Sequence, residues 1–267
     1  MKKLLLATAV AAALGAPATP VLAQDSPHSL TANLGFFSEY IFRGITQTAG
    51  KPALQGGFDY GHASGFYAGT WASNVSWPQD FGAYTRSSLE WDFYGGYKGT
   101  FGKSDFGFDV GTIYYYYPGR AGGVSNPTAR DADTWEIYGA LTWKFLGVKL
   151  SYNLDDYFGI RPNGQKTDGT WYLDIYGSYA FGDSGWSLNA HYGILDVKND
   201  GNEAAGTKAS YDDWRIGGAY TVPAGLFKSF EVGAYYTDTS AKKAFYTDLT
   251  GYDTSKGALV AYVKKTF

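Results

Sequence analysis

Apolar and polar residues alternate with a period of two along most of this chain. In residues 171–181, WYLDIYGSYAF, one set of alternate positions holds Trp171, Leu173, Ile175, Tyr179 and Phe181, and the other holds Tyr172, Asp174, Tyr176 and Ser178. Successive side chains of a strand point to opposite faces, so this segment predicts a strand with one apolar face and one face of acid and hydroxyl groups. Residues 136–145 repeat the pattern, with Ile137, Leu141, Trp143 and Phe145 opposite Glu136, Tyr138, Thr142 and Lys144. Residues 89–97 do so again, with Leu89, Trp91, Phe93 and Tyr97 opposite Glu90, Asp92 and Tyr94. Read this way, the chain predicts twelve strands, at 30–42, 51–61, 66–76, 84–101, 105–117, 133–145, 148–158, 169–181, 186–195, 210–221, 226–239 and 256–267.

The connections alternate too. Short HASG, GKS, LG, GDSG and VPAG turns separate longer polar segments, the longest being 118–132, 196–209 and 240–255. Tight turns at one end, long loops at the other and an even number of strands of about 10 residues predict an all-β transmembrane antiparallel up-and-down barrel, with short periplasmic turns and long extracellular loops. A soluble barrel would also be made of hairpins, but nothing would force its connection lengths to alternate.

The aromatic residues sort by depth on this scheme. If odd-numbered strands run toward the long loops, the outward rings near that end are Tyr40, Tyr116, Trp135, Trp171, Trp214 and Tyr236. Tyr60, Phe101, Phe106, Phe145, Phe181, Trp186, Phe230 and Phe267 fall near the short turns. Two such belts are the girdles of a membrane barrel. An aromatic-cored β-sandwich is the competing reading, and it gives no reason for a terminal Phe. The dense stretch FFSEYIFRGITQTAGKPALQGGFDY, residues 36–60, then places its rings toward lipid and Glu39, Arg43, Gln55 and Asp59 toward the lumen or its mouth.

Composition narrows the class further. Lys2 and Lys3, an apolar run over 4–16 and Val21-Leu22-Ala23 predict a signal peptide at 1–23, with the barrel at 24–267. The run is too short for a spanning helix, which needs about 20 residues. The 267-residue chain has no Cys, which excludes a disulfide-stapled domain and a lipid-anchored Cys. Its formal charge of −3 becomes more negative once the two lysines are removed, which excludes nucleic acid as a partner.

Candidate chemistry lies on the inner face. The predicted pore-lining acids are Glu39, Asp59, Glu90, Asp92, Asp109, Glu136, Asp155, Asp174, Asp213 and Glu231, and the bases are Arg43, Arg86, Lys98, Lys144, Lys149 and Arg215. The acid excess predicts a weakly cation-favouring lumen. Alternatively the charges pair and plug the barrel, because twelve strands lie between the ~8 that side chains can fill and the ~16 of open porins. Arg43-Gly44 reads as an eyelet element or as a strand-end turn in which Arg43 pairs with Glu39; the turn is favoured. Gly56-Gly57 reads as a place of close wall packing. Residues 196–203, DVKNDGNE, carry oxygen ligands, but Lys198 stands where a calcium loop needs Asp or Asn, so a solvated loop is expected. His28 precedes the barrel, His62 lies in a short turn and His191 faces inward with Asn189, so no His stands beside a Ser at the upper rim as a hydrolase would need. No zinc-ligand spacing, phosphate loop or nucleophile elbow occurs, so no enzyme activity, cofactor or metal is expected.

A resemblance adds to this reading. SEYIFRGITQT followed by KPALQGGFDYGHASGFYAGTWASNV, over about residues 30–75, resembles the TorF family, bacterial outer-membrane proteins assigned as porins by inference. The likeness rests on Phe42-Arg43-Gly44, Pro52-Ala53-Leu54-Gln55-Gly56-Gly57, Ser64-Gly65-Phe66-Tyr67 and Trp71-Ala72-Ser73-Asn74-Val75, and the KTF ending is familiar for the family. From residue 84 to 257 only the pattern is shared. The resemblance implies a Gram-negative outer-membrane barrel and brings no catalytic residues. Expected partners are outer-membrane lipid, small hydrophilic solutes or ions, and the barrel-assembly machinery through Phe267, although Lys265 stands where that signal usually has an apolar residue. A closed barrel acting through its extracellular loops is the alternative function.

Overall fold

The computed structural model describes residues 26–122 and 130–267. The predicted signal segment 1–23 and residues 123–129 of the fifth loop lie outside the described residues. Twelve antiparallel strands close into a barrel. They are β1 (His28–Phe37), β2 (Ala53–His62), β3 (Phe66–Asn74), β4 (Leu89–Thr100), β5 (Phe106–Tyr116), β6 (Thr134–Trp143), β7 (Leu146–Asn153), β8 (Trp171–Ala180), β9 (Trp186–Asp196), β10 (Tyr211–Thr221), β11 (Phe230–Thr239) and β12 (Ala258–Thr266). Each pairs with its sequence neighbours, and β1 pairs with β12, Phe37 opposite Tyr262 and Asn33 opposite Thr266. Closure leaves no edge strand and satisfies every wall position by a neighbour.

The period of two explains the wall. Leu30, Leu34 and Phe36 of β1, Leu54 and Phe58 of β2, Trp91 and Phe93 of β4 and Ile137, Leu141 and Trp143 of β6 are all exposed. An apolar surface this continuous faces outward, while their neighbours in sequence face in. Tyr60, Phe101, Phe106, Phe145, Phe181, Trp186 and Phe267 are exposed toward the short-turn end, and Tyr116, Trp135, Trp214 and Tyr236 toward the long-loop end. The Lys265 ammonium lies 4.7 Å from the Phe230 ring and 5.0 Å from that of Phe267, so an amphipathic stem is laid across the lower belt.

Glycine shapes the inner side of the wall. Tyr94 stands opposite Gly69, Tyr67 opposite Gly96, Tyr138 opposite Gly111, Tyr176 opposite Gly147, Tyr235 opposite Gly217 and Tyr262 opposite Gly233. At each of these glycines an added Cβ would meet the partner tyrosine. The rings therefore lie flat along the wall instead of reaching across the barrel. At Gly56 a Cβ would come 2.8 Å from the Asn33 carbonyl, and at Gly57 it would strike that of Thr70, so the Gly-Gly pair permits close wall packing as expected.

Four segments depart from the expected strands, one of them β7, which ends at Asn153, not 158, before a 3-10 turn at Tyr157–Gly159. β1 ends at Phe37, not 42: Ser38 makes the last in-register bond to β12, to the Ala261 carbonyl at 2.8 Å, and Ile41–Phe42 then pair with Ile45–Thr46 instead of with the wall. Residues 84–86 leave the wall and pair with 120–121 as a small separate ladder. β11 begins at Phe230, after a turn rather than at 226. Two short helices, α1 (Trp77–Asp80) and α2 (Lys243–Tyr246), sit in long loops.

Candidate functional site

The site is the barrel interior, and its two halves differ. In the half nearer the short turns, polar side chains bond along the wall. The Tyr94 hydroxyl donates to Asp59 at 2.6 Å and the Tyr67 hydroxyl to Asp109 at 2.6 Å. Lys98 lies 5.0 Å from the Tyr67 ring and Lys149 4.1 Å from that of Tyr138. Glu231 pairs with Lys264 at 3.1 Å and accepts from Tyr262 at 2.8 Å. Asp59, Lys98, Glu231 and Lys264 are only half-buried.

In the half nearer the long loops the interior is filled. Residues 38–52 fold into the barrel as a hairpin, Ile41–Phe42 pairing with Ile45–Thr46. Arg43 and Gly44 form its tip at φ 47° and 76°, so the Gly meets a real conformational demand. A Cβ at Gly44 would lie 2.6 Å from that of Asp213 on β10, and Tyr211 donates to the Arg43 carbonyl at 2.7 Å. The hairpin thus rests on the far wall.

Arg43 carries the tip's chemistry. Its guanidinium is 2.8 Å from Glu136 and lies 4.4 Å from the Tyr172 ring, 4.8 Å from Phe42 and 5.7 Å from Tyr157. Burial opposes its charge, but Glu136 and the hydroxyls of Tyr157 and Tyr115 outweigh this and hold its pKa above the ordinary arginine value. Beside it, Glu90 accepts hydrogen bonds from Tyr40 and Tyr117, each at 2.8 Å. Burial, reinforced by Glu90, pushes the Tyr40 and Tyr117 hydroxyls well above their usual pKa, so both remain donors. Glu90, Asp92 and Glu136 are 2%, 3% and 1% exposed. Rings seal the group: Trp71 packs edge-on to Tyr40, and Trp77 of α1 to Tyr117.

Most of the expected inward residues stand on the inner face, but several expectations need correction. Tyr40 belongs to no outer belt; it is 3% exposed inside the barrel. Arg43 pairs with Glu136, whereas Glu39 accepts the Gly50 amide at 3.0 Å. Arg86 lies exposed in the separate ladder, and Lys144 sits in the β6–β7 turn at φ 53°, 4.8 Å from the Trp143 ring, so neither faces the lumen. Asp155 lies in a loop and accepts the Trp135 amide at 2.9 Å. His28 opens β1 opposite His62 instead of preceding the barrel. Lys264, missed by the alternation because both faces of β12 carry apolar residues, points inward to Glu231.

His191 of β9 lies between Asp174 at 3.1 Å and Asp213 at 3.4 Å. Arg215 faces the Tyr235 ring at 5.0 Å. In the 196–203 loop the Asp200 carboxylate accepts the amides of Gly201, Ala209 and Ser210, so its oxygens serve the loop's own backbone. Among the described residues no cluster of three His, Cys, Asp or Glu is arranged to hold a metal. Two pockets of about 220 Å³ open among the long loops, one beside Lys208 and Asp212, the other beside Arg161 and Asp168.

An apolar exterior, a closed antiparallel wall and a charged interior define a twelve-stranded transmembrane β-barrel. Residues 22–267 match the family described as "Bacterial protein of unknown function (Gcw_chp)", and the chain belongs to that family. Among solved structures it is similar to a KdgM porin, with a TM-score of 0.51 and 9% identity over 89% of this chain and 99% of that one. A KdgM porin in complex with disordered oligogalacturonate matches at 0.51 with 10% identity over 89% and 99%. A NanC porin matches at 0.51 with 13% identity over 90% and 99%. Identities this low speak for the fold alone. No curated protein matches the chain.

Proposed function

We propose that the chain is a TorF-type outer-membrane porin, exported through its 1–23 signal segment and assembled with the help of Phe267, which passes small hydrophilic solutes with a weak preference for cations. The observation that carries this is the charge of the interior. Glu39, Asp59, Glu90, Asp92, Asp109, Glu136, Asp174, Asp213 and Glu231 outnumber Arg43, Lys98, Lys149, Arg215 and Lys264 inside an apolar-walled barrel. Glu90, Asp92 and Glu136 are sealed from a solute, but across a low-dielectric interior the field of excess acid still favours cations. Catalysis has no place in this reading. The test is single-channel recording of the refolded mature protein under a salt gradient. Discrete steps with a reversal potential favouring potassium support it; silence from a heat-modifiable, folded barrel sinks it.

A second reading has its own support. Tyr40, Tyr115 and Tyr117 are each 3% exposed, and so tightly packed a half-lumen suits a closed barrel that acts through its outer loops. Silence in the same recordings, with binding of a surface partner by the long loops, would establish it.

A further inference from the structure

The loop-end half of the barrel contains a cation site already filled by one of the chain's own side chains. The Arg43 guanidinium lies 4.4 Å from the Tyr172 ring and 4.8 Å from Phe42, and it meets Glu136 at 2.8 Å. Aromatic rings near a cation with a carboxylate at its edge are what recognises a flat, delocalised charge. The site also holds more acceptors than Arg43 can use. Glu136 and its electrostatic neighbour Asp92 are 1% and 3% exposed, and Glu136 Oε1 and Asp92 Oδ1 have no hydrogen-bond partner among the described residues. Buried acceptors without donors, beside carboxylates that outnumber the one guanidinium, suit further N–H groups. Arg43 reaches the site from the tip of a hairpin, not from the barrel wall; the hairpin's own ladder is two residues long, and it is otherwise held by single bonds such as Tyr211 to the Arg43 carbonyl, Thr46 to the Thr254 carbonyl and Tyr40 to Glu90.

We propose, resting on the porin reading above, that this is a recognition site for solutes bearing a guanidinium or alkylammonium group. Arg43 occupies it as a tethered competitor, and a permeating cationic solute takes its place as the hairpin withdraws. Neutral and anionic solutes cannot replace Arg43 at Glu136 and pass more slowly.

The test compares L-arginine with L-citrulline, which replaces the guanidinium by a neutral group of similar shape, in swelling of proteoliposomes holding the wild-type barrel. Arginine should enter about fivefold faster, the size of effect that about 1 kcal/mol of cation–π attraction gives. Arg43→Ala should raise the bilayer conductance, and added guanidinium chloride should block that variant where potassium chloride does not. Glu136→Gln in the Arg43→Ala background should remove the block. Equal rates for arginine and citrulline in a conducting wild-type barrel would overturn the proposal. So would a preference no larger than the potassium-over-chloride ratio, which the general lumen charge explains. Guanidinium acting like potassium on Arg43→Ala would overturn it as well. A barrel silent in wild type and variant alike defeats the porin reading itself, and this inference with it. If Arg43→Ala fails to fold, the wild-type swelling comparison decides alone.

Discussion

The two halves of the interior use the same residue types to opposite ends. Toward the short turns, Tyr67, Tyr94 and Tyr262 lie along the wall over Gly96, Gly69 and Gly233, and their hydroxyls serve Asp109, Asp59 and Glu231. Toward the long loops, Tyr40 and Tyr117 reach inward from loops to Glu90, and Arg43 reaches Glu136. A tyrosine–carboxylate bond between wall strands stays along the wall, whereas the same bond made from a loop adds a side chain to the interior. Whether a side chain lines or fills the barrel is thus decided by which backbone carries it, not by its chemistry.

The sharpest test sets one ion pair against the other. The Glu136 side chain is 1% exposed and that of its partner Arg43 7%, so Glu136→Ala leaves a largely buried guanidinium without its ion-pair partner. Losing one partner of such a pair costs about 3–5 kcal/mol. The Lys264 and Glu231 side chains are 16% and 15% exposed, and Glu231→Ala should cost about 1 kcal/mol, nearer to an exposed pair. Urea unfolding of the refolded barrel measures both. Equal losses would break the contrast between the halves. Hydrogen exchange over 38–52 should rise in Glu136→Ala and stay unchanged in Glu231→Ala.

A middle-sized effect probes how the wall keeps its rings flat. At Gly111 a Cβ would come 2.6 Å from the Tyr138 hydroxyl and 2.7 Å from the Gly95 carbonyl, and a backbone atom cannot yield cheaply. Gly111→Ala should cost about 1–3 kcal/mol, as overpacking does, and should push Tyr138 off the wall. At Gly139 a Cβ meets nothing within 4 Å, so Gly139→Ala should be neutral in the same unfolding experiment. Similar costs at both sites would mean that the glycines matter only for strand propensity.

These contrasts also mark what could be read from the sequence. The wall was legible because a period of two forces every second side chain outward, so Trp91, Trp135 and Ile137 declared the barrel by themselves. The Tyr-over-Gly pairs needed the register, which no single strand specifies. The filled half was hidden for a different reason. Phe37, Tyr40 and Phe42 continue a pattern indistinguishable from a strand's, and only the pairing of Ile41–Phe42 with Ile45–Thr46 and the bond from Tyr40 to Glu90, 50 residues away, show that the chain leaves the wall. Arg43 stands out in the sequence, but its partner Glu136 lies on β6, and long-range pairings of loop tips leave no local signal. Gly44 did leave one, since an Arg-Gly pair inside an aromatic run announces a turn.

The smallest effect lies outside the barrel, where the loop after β11 gives a control for both halves. Asp248 accepts from the Thr250 amide at 2.8 Å, the Thr250 hydroxyl at 2.7 Å and the Tyr252 amide at 2.9 Å. Burial raises its pKa, but these bonds and the Gly251 amide outweigh it and hold the carboxyl below its usual range. A carboxylate with a lowered folded pKa contributes stability above its unfolded pKa, and that contribution is lost as pH falls through the folded value. The 248–252 turn should therefore keep its amide protection below about pH 4, where an ordinary Asp has protonated, and lose it only in stronger acid. Hydrogen exchange corrected for its intrinsic pH dependence reads this directly. Asp248→Asn should remove the acid step and leave the 38–52 hairpin untouched. If the hairpin loosened together with this turn, the outer loops would form one cooperative cap, and the filled half of the barrel would owe its closure to that cap rather than to Arg43 and Glu136.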